Sequence, residues 1–73
     1  MKEIRWLIVG YSTNGEMVFY NYEYDFFNKS FLNADCFKHE ETAKGIIEEI
    51  DKSQHYFIKD IKIIKTEIEL KVL

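Results

Sequence analysis

The first apolar stretch of the chain has the pattern of a β-strand with two apolar faces. Residues 4–11 are rich in β-branched and aromatic side chains, which suit a pleated strand. Side chains alternate between the faces of a strand, so Trp6 and Ile8 fall on one face and Leu7 and Val9 on the other. Because both sets are apolar, we expect both faces of this strand to be partly buried.

A hairpin turn is predicted directly after this strand. Asn14-Gly15 is a dipeptide that tolerates positive φ at the centre of hairpin turns. The second strand is predicted from Met17 to about Tyr24, and one of its faces carries a ladder of tyrosines. The residues on that face are Val18, Tyr20, Tyr22 and Tyr24.

The middle of the chain leads from an irregular stretch into the clearest helix. Residues 25–33 show neither the helical nor the strand period, which predicts a loop or an irregular crossing segment, and residues 34–37 are predicted to form a short strand. From Glu40 the apolar residues recur at helical spacing, and Glu40 and Glu41 suit the positive end of the helix dipole. The apolar positions are Ala43, Ile46, Ile47 and Ile50. Gly45 inside this helix suggests a close approach to the sheet.

The sequence predicts that β structure resumes at Tyr56 and that its last part, Ile64 to Val72, is a long regular strand. Ile61 and Ile63 occupy odd positions, whereas Ile64, Ile68, Leu70 and Val72 occupy even ones. This change of phase predicts a bulge or a bend at Ile63-Ile64. A strand of this length leaves an edge that invites pairing with a second copy of the chain, so a homodimer through the C-terminal strand is one alternative.

Together these elements predict an α+β fold with two layers, in which a small, mostly antiparallel sheet packs on one α-helix. The sheet would contain the β-hairpin, the short strand and the long C-terminal strand. A chain of 73 residues fits a single domain, 1–73. No stretch approaches the roughly 18 consecutive apolar residues of a membrane span, so we expect a soluble protein. The single cysteine favours a reducing cytoplasm.

The charge balance disfavours nucleic acid as the partner. Thirteen acidic and ten basic residues give a formal charge of −3, which repels polyanions. Two alternatives remain open at this stage. The last strand carries lysines that would line its exposed side in a nucleic-acid module: Lys59, Lys62, Lys65 and Lys71. The acidic residues either serve solubility or form a negative surface that occupies the nucleic-acid groove of another protein.

Catalytic and metal chemistry find little support in the sequence. The chain has three cysteine and histidine residues in total, Cys36, His39 and His55, whereas a closed structural zinc site takes four such ligands. The three glycines are scattered and form no phosphate-binding loop. We therefore expect no catalytic, cofactor-binding or metal-binding residues, and we expect His39 to lie at or near the helix N-cap.

Aromatic residues are concentrated in one part of the chain. Residues 19–37 hold eight of the twelve aromatic residues, and the charges within the run 19–27 are acidic. Tyrosine is favoured in protein interfaces because it buries a large area while its hydroxyl stays hydrogen-bonded. We expect Tyr20, Tyr22 and Tyr24 to face outward and to form a partner-binding site with their neighbours. The expected partner-binding residues are Tyr20, Tyr22, Glu23, Tyr24, Asp25, Phe26 and Phe27. The alternative is that about half of these rings, Phe19 above all, belong to the core.

The order of hairpin, Ala34-x-x-Phe37, acidic helix start and isoleucine-rich last strand resembles a group of small uncharacterised proteins encoded by phages and other mobile elements of low-GC Gram-positive bacteria. The resemblance covers most of the chain but rests on a pattern, and His39 departs from the small polar cap that is usual there. It implies an inhibitor, of the anti-CRISPR or anti-defence type, that binds a host protein such as a nucleic-acid-binding nuclease or defence complex in the bacterial cytoplasm. It assigns no functional residue.

Overall fold

The computed structural model describes residues 1–69 and 71. A four-stranded sheet and one α-helix make up most of this part of the chain. The elements in chain order are strand β1 (Lys2–Tyr11), strand β2 (Met17–Asn21), strand β3 (Phe26–Asn28), a 3-10 helix (Phe31–Asn33), helix α1 (Glu40–Glu49) and strand β4 (Lys59–Glu69). No helix among the described residues is long and apolar enough to cross a membrane.

The sheet is antiparallel throughout and has the strand order β3-β2-β1-β4. β1 and β2 form the predicted hairpin, in which Val9 pairs with Phe19 and Gly15 has φ +85° in the connecting turn. The long C-terminal strand pairs with the other side of β1, from Lys2 opposite Glu69 to Val9 opposite Lys62. The predicted α+β fold with a small antiparallel sheet and one helix is confirmed.

The main core lies between the sheet and helix α1. Ile8 of β1 and Ala43 of α1 are almost completely buried there. The other buried members of this core are Val18, Tyr20, Phe27, Ile50 and Ile58.

The helix begins after His39, which occupies the N-cap but makes no side-chain capping bond. Gly45 has no neighbouring atom within 4 Å of where a Cβ would lie, so the expected close approach to the sheet was wrong.

The opposite face of the sheet holds a smaller apolar layer. Leu7 and Val9 are fully buried, although alternation directs them away from the face that carries Ile8. Their cross-strand neighbours are Ile64 and Phe19. The segment 29–34 runs along this side, and Phe31 packs edge-on against Phe19 with the ring centroids 5.5 Å apart. The expectation that both faces of β1 are buried therefore holds for these residues.

The bulge in the last strand lies closer to its start than predicted. The register shift falls opposite β1 between Val9 and Tyr11, and Asp60 has φ +54° there, whereas pairing is regular through Ile63-Ile64. The two isoleucines lie on opposite faces of one regular strand, which explains the phase change without a bend. β4 ends at Glu69. The continuation of the predicted strand through Leu70 and Val72 lies outside the described residues.

Two other segments differ from the sequence prediction. The second strand ends at Asn21 and not at Tyr24, and the irregular crossing segment contains the short strand β3 before its 3-10 helix. The short strand predicted at 34–37 is reduced to one bridge, in which Phe37 exchanges two backbone hydrogen bonds of 2.8 Å with Trp6. The third strand of the sheet is therefore β3, at the sheet edge.

Candidate functional site

A tight turn joins β2 to β3 and carries the most unusual surface of the protein. Tyr22, Tyr24 and Phe26 are 51 %, 73 % and 53 % exposed, and Glu23 and Asp25 between them are exposed as well. We call residues 22–26 the aromatic turn. Three large rings and two carboxylates thus reach solvent within five consecutive residues, and no lysine or arginine lies in residues 19–28.

Backbone hydrogen bonds within the aromatic turn define its shape. The Asp25 N–H donates to the Tyr22 carbonyl at 3.4 Å, and the Tyr24 N–H donates to Asn21 Oδ1 at 3.1 Å. Asp25 has φ +49°, a left-handed conformation that aspartate adopts more readily than most residues. The turn is therefore a defined hairpin connection in which Asn21 ends the strand.

The tyrosine ladder that alternation predicted is not present. Tyr20 lies in β2 and is buried in the main core, whereas Tyr22 and Tyr24 follow the end of the strand and lie in the turn. Phe27 of β3 pairs with Tyr20 and is also buried. The prediction that Tyr20 faces outward was wrong, and Tyr20 and Phe27 cannot offer a surface to a partner. Of the seven expected partner-binding residues, the structure leaves the five of the aromatic turn accessible.

The buried Tyr20 holds the aromatic turn through its hydroxyl. It donates a hydrogen bond of 2.5 Å to Asp25 Oδ1, and His55 Nε2 lies 3.1 Å from the same oxygen. His55 is itself buried, with its ring edge-on to Phe27 at 5.2 Å between centroids. We call Tyr20, Asp25 and His55 the Tyr20–Asp25–His55 cluster. It joins the aromatic turn to the segment that follows helix α1.

The electrostatics of this cluster follow from its hydrogen bonds. The bond from Tyr20 holds the pKa of the Asp25 carboxyl below its usual value, and the bond with His55 acts in the same direction. Burial raises the pKa of the Tyr20 phenol far above its usual value, and the Asp25 carboxylate raises it further. Around neutral pH the cluster therefore contains a phenol that donates and a carboxylate that accepts.

Residues 33–35, which follow from the 3-10 helix, hold the aromatic turn from the other side. Asp35 Oδ2 accepts a short hydrogen bond from the Tyr22 N–H, and the Asp35 N–H donates to the Tyr20 carbonyl at 3.3 Å. Asn21 Nδ2 donates to the Asn33 carbonyl at 3.0 Å. With anchors on both sides, the backbone of the turn is fixed before any partner binds, which lowers the entropy cost of docking.

A second exposed aromatic pair lies in the segment 51–58, where the structure has turns, whereas the sequence predicted that β structure resumes at Tyr56. Tyr56 and Phe57 are exposed and pack edge-on with centroids 5.6 Å apart. Asp51 Oδ1 accepts from the Ser53 N–H at 2.9 Å, an Asx turn that Asp-x-Ser signals in the sequence. The two rings lie in a further turn, in which the Ile58 N–H donates to the His55 carbonyl at 2.9 Å. No local sequence motif predicts this turn.

An open cleft of about 410 Å³ lies between the first hairpin turn and the second aromatic pair. Phe26 of the aromatic turn and Phe57 both line it, and Lys29 and Glu16 are among its charged residues. Its remaining lining residues are Ser12, Thr13, Asn14, Val18, Phe27 and Ile58. The cleft extends the apolar surface of the aromatic turn toward Phe57.

The other candidate residues lie apart from this surface. Cys36 is half-buried, and burial raises the pKa of its thiol, which keeps it protonated. His39 is exposed at the start of α1. Within residues 1–69 and 71, no group of three or more histidine, cysteine, aspartate or glutamate residues is arranged to hold a metal ion.

The lysines of the last strand do not form one basic stripe. Lys62 Nζ lies 5.3 Å from the centroid of the Tyr11 ring on one face of the sheet. Lys65 Nζ lies 5.7 Å from the centroid of the Trp6 ring on the other face. The expectation that these lysines share one exposed side was wrong, because neighbours three positions apart in a strand point in opposite directions.

Comparison with known proteins gives no relative. No family model, curated protein or solved structure matches the chain.

Proposed function

We propose that this chain is a non-catalytic protein-binding module and that its aromatic turn docks on a basic surface or groove of a partner protein. One observation carries the proposal: three exposed rings and two exposed carboxylates share a five-residue turn whose backbone is held by hydrogen bonds from both sides. Exposed rings of this size are normally covered in small proteins, and a rigid display of them suits an interface.

The charges of the turn select the chemistry of the partner. Glu23 and Asp25 carry the only charges of the aromatic turn, and the chain as a whole is acidic at −3. A phosphate backbone would be repelled, whereas arginine and lysine side chains gain both ion pairing and contact with the aromatic faces. The rings supply buried area and the carboxylates supply orientation, which together favour a basic protein surface.

The Tyr20–Asp25–His55 cluster supports a structural role more than a catalytic one. A phenol whose pKa is raised is held in its protonated form, which is the opposite of what an activated tyrosine nucleophile or base requires. Its hydroxyl points at Asp25 within the protein. The cluster fits the task of fixing the turn that would meet the partner.

The source and the partner class belong to the same proposal. We take the chain to be a phage-encoded inhibitor of a host enzyme or defence complex in the bacterial cytoplasm, as its resemblance implies. Nucleic-acid-binding nucleases suit the geometry because they carry basic grooves lined by lysine and arginine. An acidic turn with projecting rings would occupy such a groove and exclude the nucleic acid.

The test compares proteins captured from a bacterial lysate by three immobilised variants of the chain. They are the unchanged protein, the double variant Tyr22→Ala with Tyr24→Ala, and the control Leu32→Ala, which removes an exposed apolar side chain from the 3-10 helix. The double variant keeps the backbone bond from residue 22 to Asp35. Quantitative mass spectrometry measures what each variant retains.

We expect one captured partner to bind the unchanged protein and Leu32→Ala equally well. The same partner should bind the double variant about tenfold or more weakly, because central aromatic residues dominate the binding energy of an interface. Binding of that partner should also weaken as salt rises, because charge attraction is screened. Equal retention of every captured protein by the double variant would rule out the aromatic turn as the docking site.

A further inference from the structure

Strand β4 forms one border of the sheet and is long for an edge strand. It pairs with β1, and among the described residues no strand lies on its other side, which we call the outer edge of β4. The opposite border of the sheet is the three-residue strand β3. A long regular edge presents a row of backbone donors and acceptors to any strand that fits it. The bulge at Asp60 interrupts the outer edge near its start and leaves residues 63–69 regular.

The side chains of residues 64–68 complement themselves when a second copy pairs antiparallel about an axis at Thr66, and Ile63 lies opposite Glu69 at each end of this stretch. Lys65 then lies opposite Glu67 of the second copy, and symmetry makes this contact twice. Ile64 lies opposite Ile68 of the second copy, also twice, and Thr66 lies opposite itself. Opposite charges, paired aliphatic side chains and paired threonines are all stabilising cross-strand combinations.

Neighbouring registers are less complementary. An axis at Lys65 places two lysines opposite each other. An axis at Glu67 pairs Lys65 with Glu69 but places two glutamates opposite each other at its centre. An axis at Ile64 leaves Lys65 opposite Ile63 of the second copy, without a charge partner. Like charges directly opposite each other destabilise a strand pair, so the pattern selects the Thr66 register.

We propose that a second copy of this chain pairs with the outer edge of β4 in an antiparallel, two-fold dimer centred on Thr66. The four-stranded sheet becomes a continuous eight-stranded sheet. Lys65 already lies on the face that carries Trp6, with Nζ 5.7 Å from the centroid of that ring, and Glu67 shares this face. Ile64, Thr66 and Ile68 lie on the other face, which carries Leu7. The dimer does not depend on the aromatic turn, which belongs to the β2–β3 end of the sheet and stays free in both copies.

Charge reversal at the paired positions tests the register. In Lys65→Glu the two copies meet with glutamate opposite glutamate, and in Glu67→Lys they meet with lysine opposite lysine, so each variant alone should dimerise about tenfold or more weakly than the unchanged chain. In an equal mixture, one chain has glutamate at both positions and the other has lysine at both. A heterodimer of about twice the 8.8 kDa chain mass should therefore form on mixing.

Sedimentation velocity measures the masses, and Lys38→Glu is the control because it changes the charge equally at an exposed position before helix α1. Lys38→Glu should dimerise like the unchanged chain. Lys65→Glu also loses the contact with Trp6, but a loss of that kind would not be reversed by mixing with Glu67→Lys. The recovery on mixing therefore separates pairing from simple destabilisation.

Hydrogen exchange of the unchanged protein provides a second measurement that needs no variant. Protection of amides within 63–69 should rise with protein concentration, while protection of β2 amides should not. A protein that stays at 8.8 kDa up to about 1 mM, or a dimer that both single variants leave intact, would overturn the proposal.

Discussion

Replacing Tyr20 with phenylalanine removes one hydroxyl from the Tyr20–Asp25–His55 cluster and leaves the ring packing in place. The hydroxyl donates to Asp25 Oδ1 at 2.5 Å, and the ring packs on Phe27 with centroids 4.9 Å apart. Phenylalanine brings no polar group that would be left unpaired in the core. The change does not alter His55, whose Nε2 lies 3.1 Å from the same Asp25 oxygen in the unchanged protein. The substitution therefore isolates the contribution of one hydrogen bond.

The expected loss of stability follows from the exposure of the two partners. A hydrogen bond to a charged group contributes about 1.5–3 kcal/mol. The Asp25 side chain is 49 % exposed, so water replaces the lost donor and the loss falls at the lower limit, about 1.5 kcal/mol. In a domain of 73 residues this corresponds to a fall in Tm of roughly 6–12 °C.

The effect should depend on pH in a direction set by the two pKa changes. The pKa of Asp25 is lowered by folding, so its contribution is present above roughly pH 4 and disappears as the pH falls through the lowered folded pKa. The pKa of Tyr20 is raised by folding, so its contribution is present below roughly pH 10 and is lost at higher pH. The difference between Tyr20→Phe and the unchanged protein should be largest between these limits.

Urea unfolding followed by circular dichroism measures the difference in unfolding free energy at about pH 7 and at about pH 2.5. The control is Tyr24→Phe, which removes the hydroxyl of an exposed tyrosine in the aromatic turn and should change stability by less than about 0.5 kcal/mol. If Tyr20→Phe matched Tyr24→Phe at neutral pH, or lost as much stability at about pH 2.5 as at about pH 7, the charge-assisted bond would not contribute as argued.

Other substitutions test the packing of the fold in the same unfolding assay. Gly10→Ala should destabilise the protein by about 1–3 kcal/mol because the new Cβ would collide with Ile58 Cγ2, whereas Gly45→Ala meets open space in a helix and should stabilise it by up to about 1 kcal/mol. An unaltered unfolding free energy in Gly10→Ala would show that Ile58 moves aside without cost. Leu7→Ala, at a fully buried position of the smaller apolar layer, should cost about 2–5 kcal/mol, while the exposed Ile4→Ala should cost much less. Similar losses for the two would contradict a packed layer on that face.

Helix α1 and the first hairpin were predictable because local interactions specify them. Apolar residues at helical spacing begin after Glu40, and the helix spans Glu40–Glu49. Asn14-Gly15 predicted a turn with positive φ, and Gly15 has φ +85°. The bulge of β4 was misplaced because a change of phase also arises when both faces of a regular strand are partly buried, as at Ile63-Ile64.

The sequence predicted that Tyr22 and Tyr24 are exposed, but it attributed their exposure to strand alternation, which the structure does not bear out. Alternation treated residues 17–24 as one strand, yet β2 ends at Asn21. The Tyr22 N–H bonds to Asp35, thirteen residues along the chain, and so leaves the strand pairing. Tyr22 and Tyr24 are exposed because they lie in a turn and not because they share a strand face with Tyr20.

The sequence by itself determined the class of fold, the helix, the hairpin and the surplus of aromatic side chains over what a small core accepts. These properties depend on composition and on residues a few positions apart. Only the tertiary structure decided which rings are buried and what holds the aromatic turn. Asp25 meets His55 across thirty residues of chain. Such contacts arise only when the sheet and the segment after the helix pack together, and no local pattern records them.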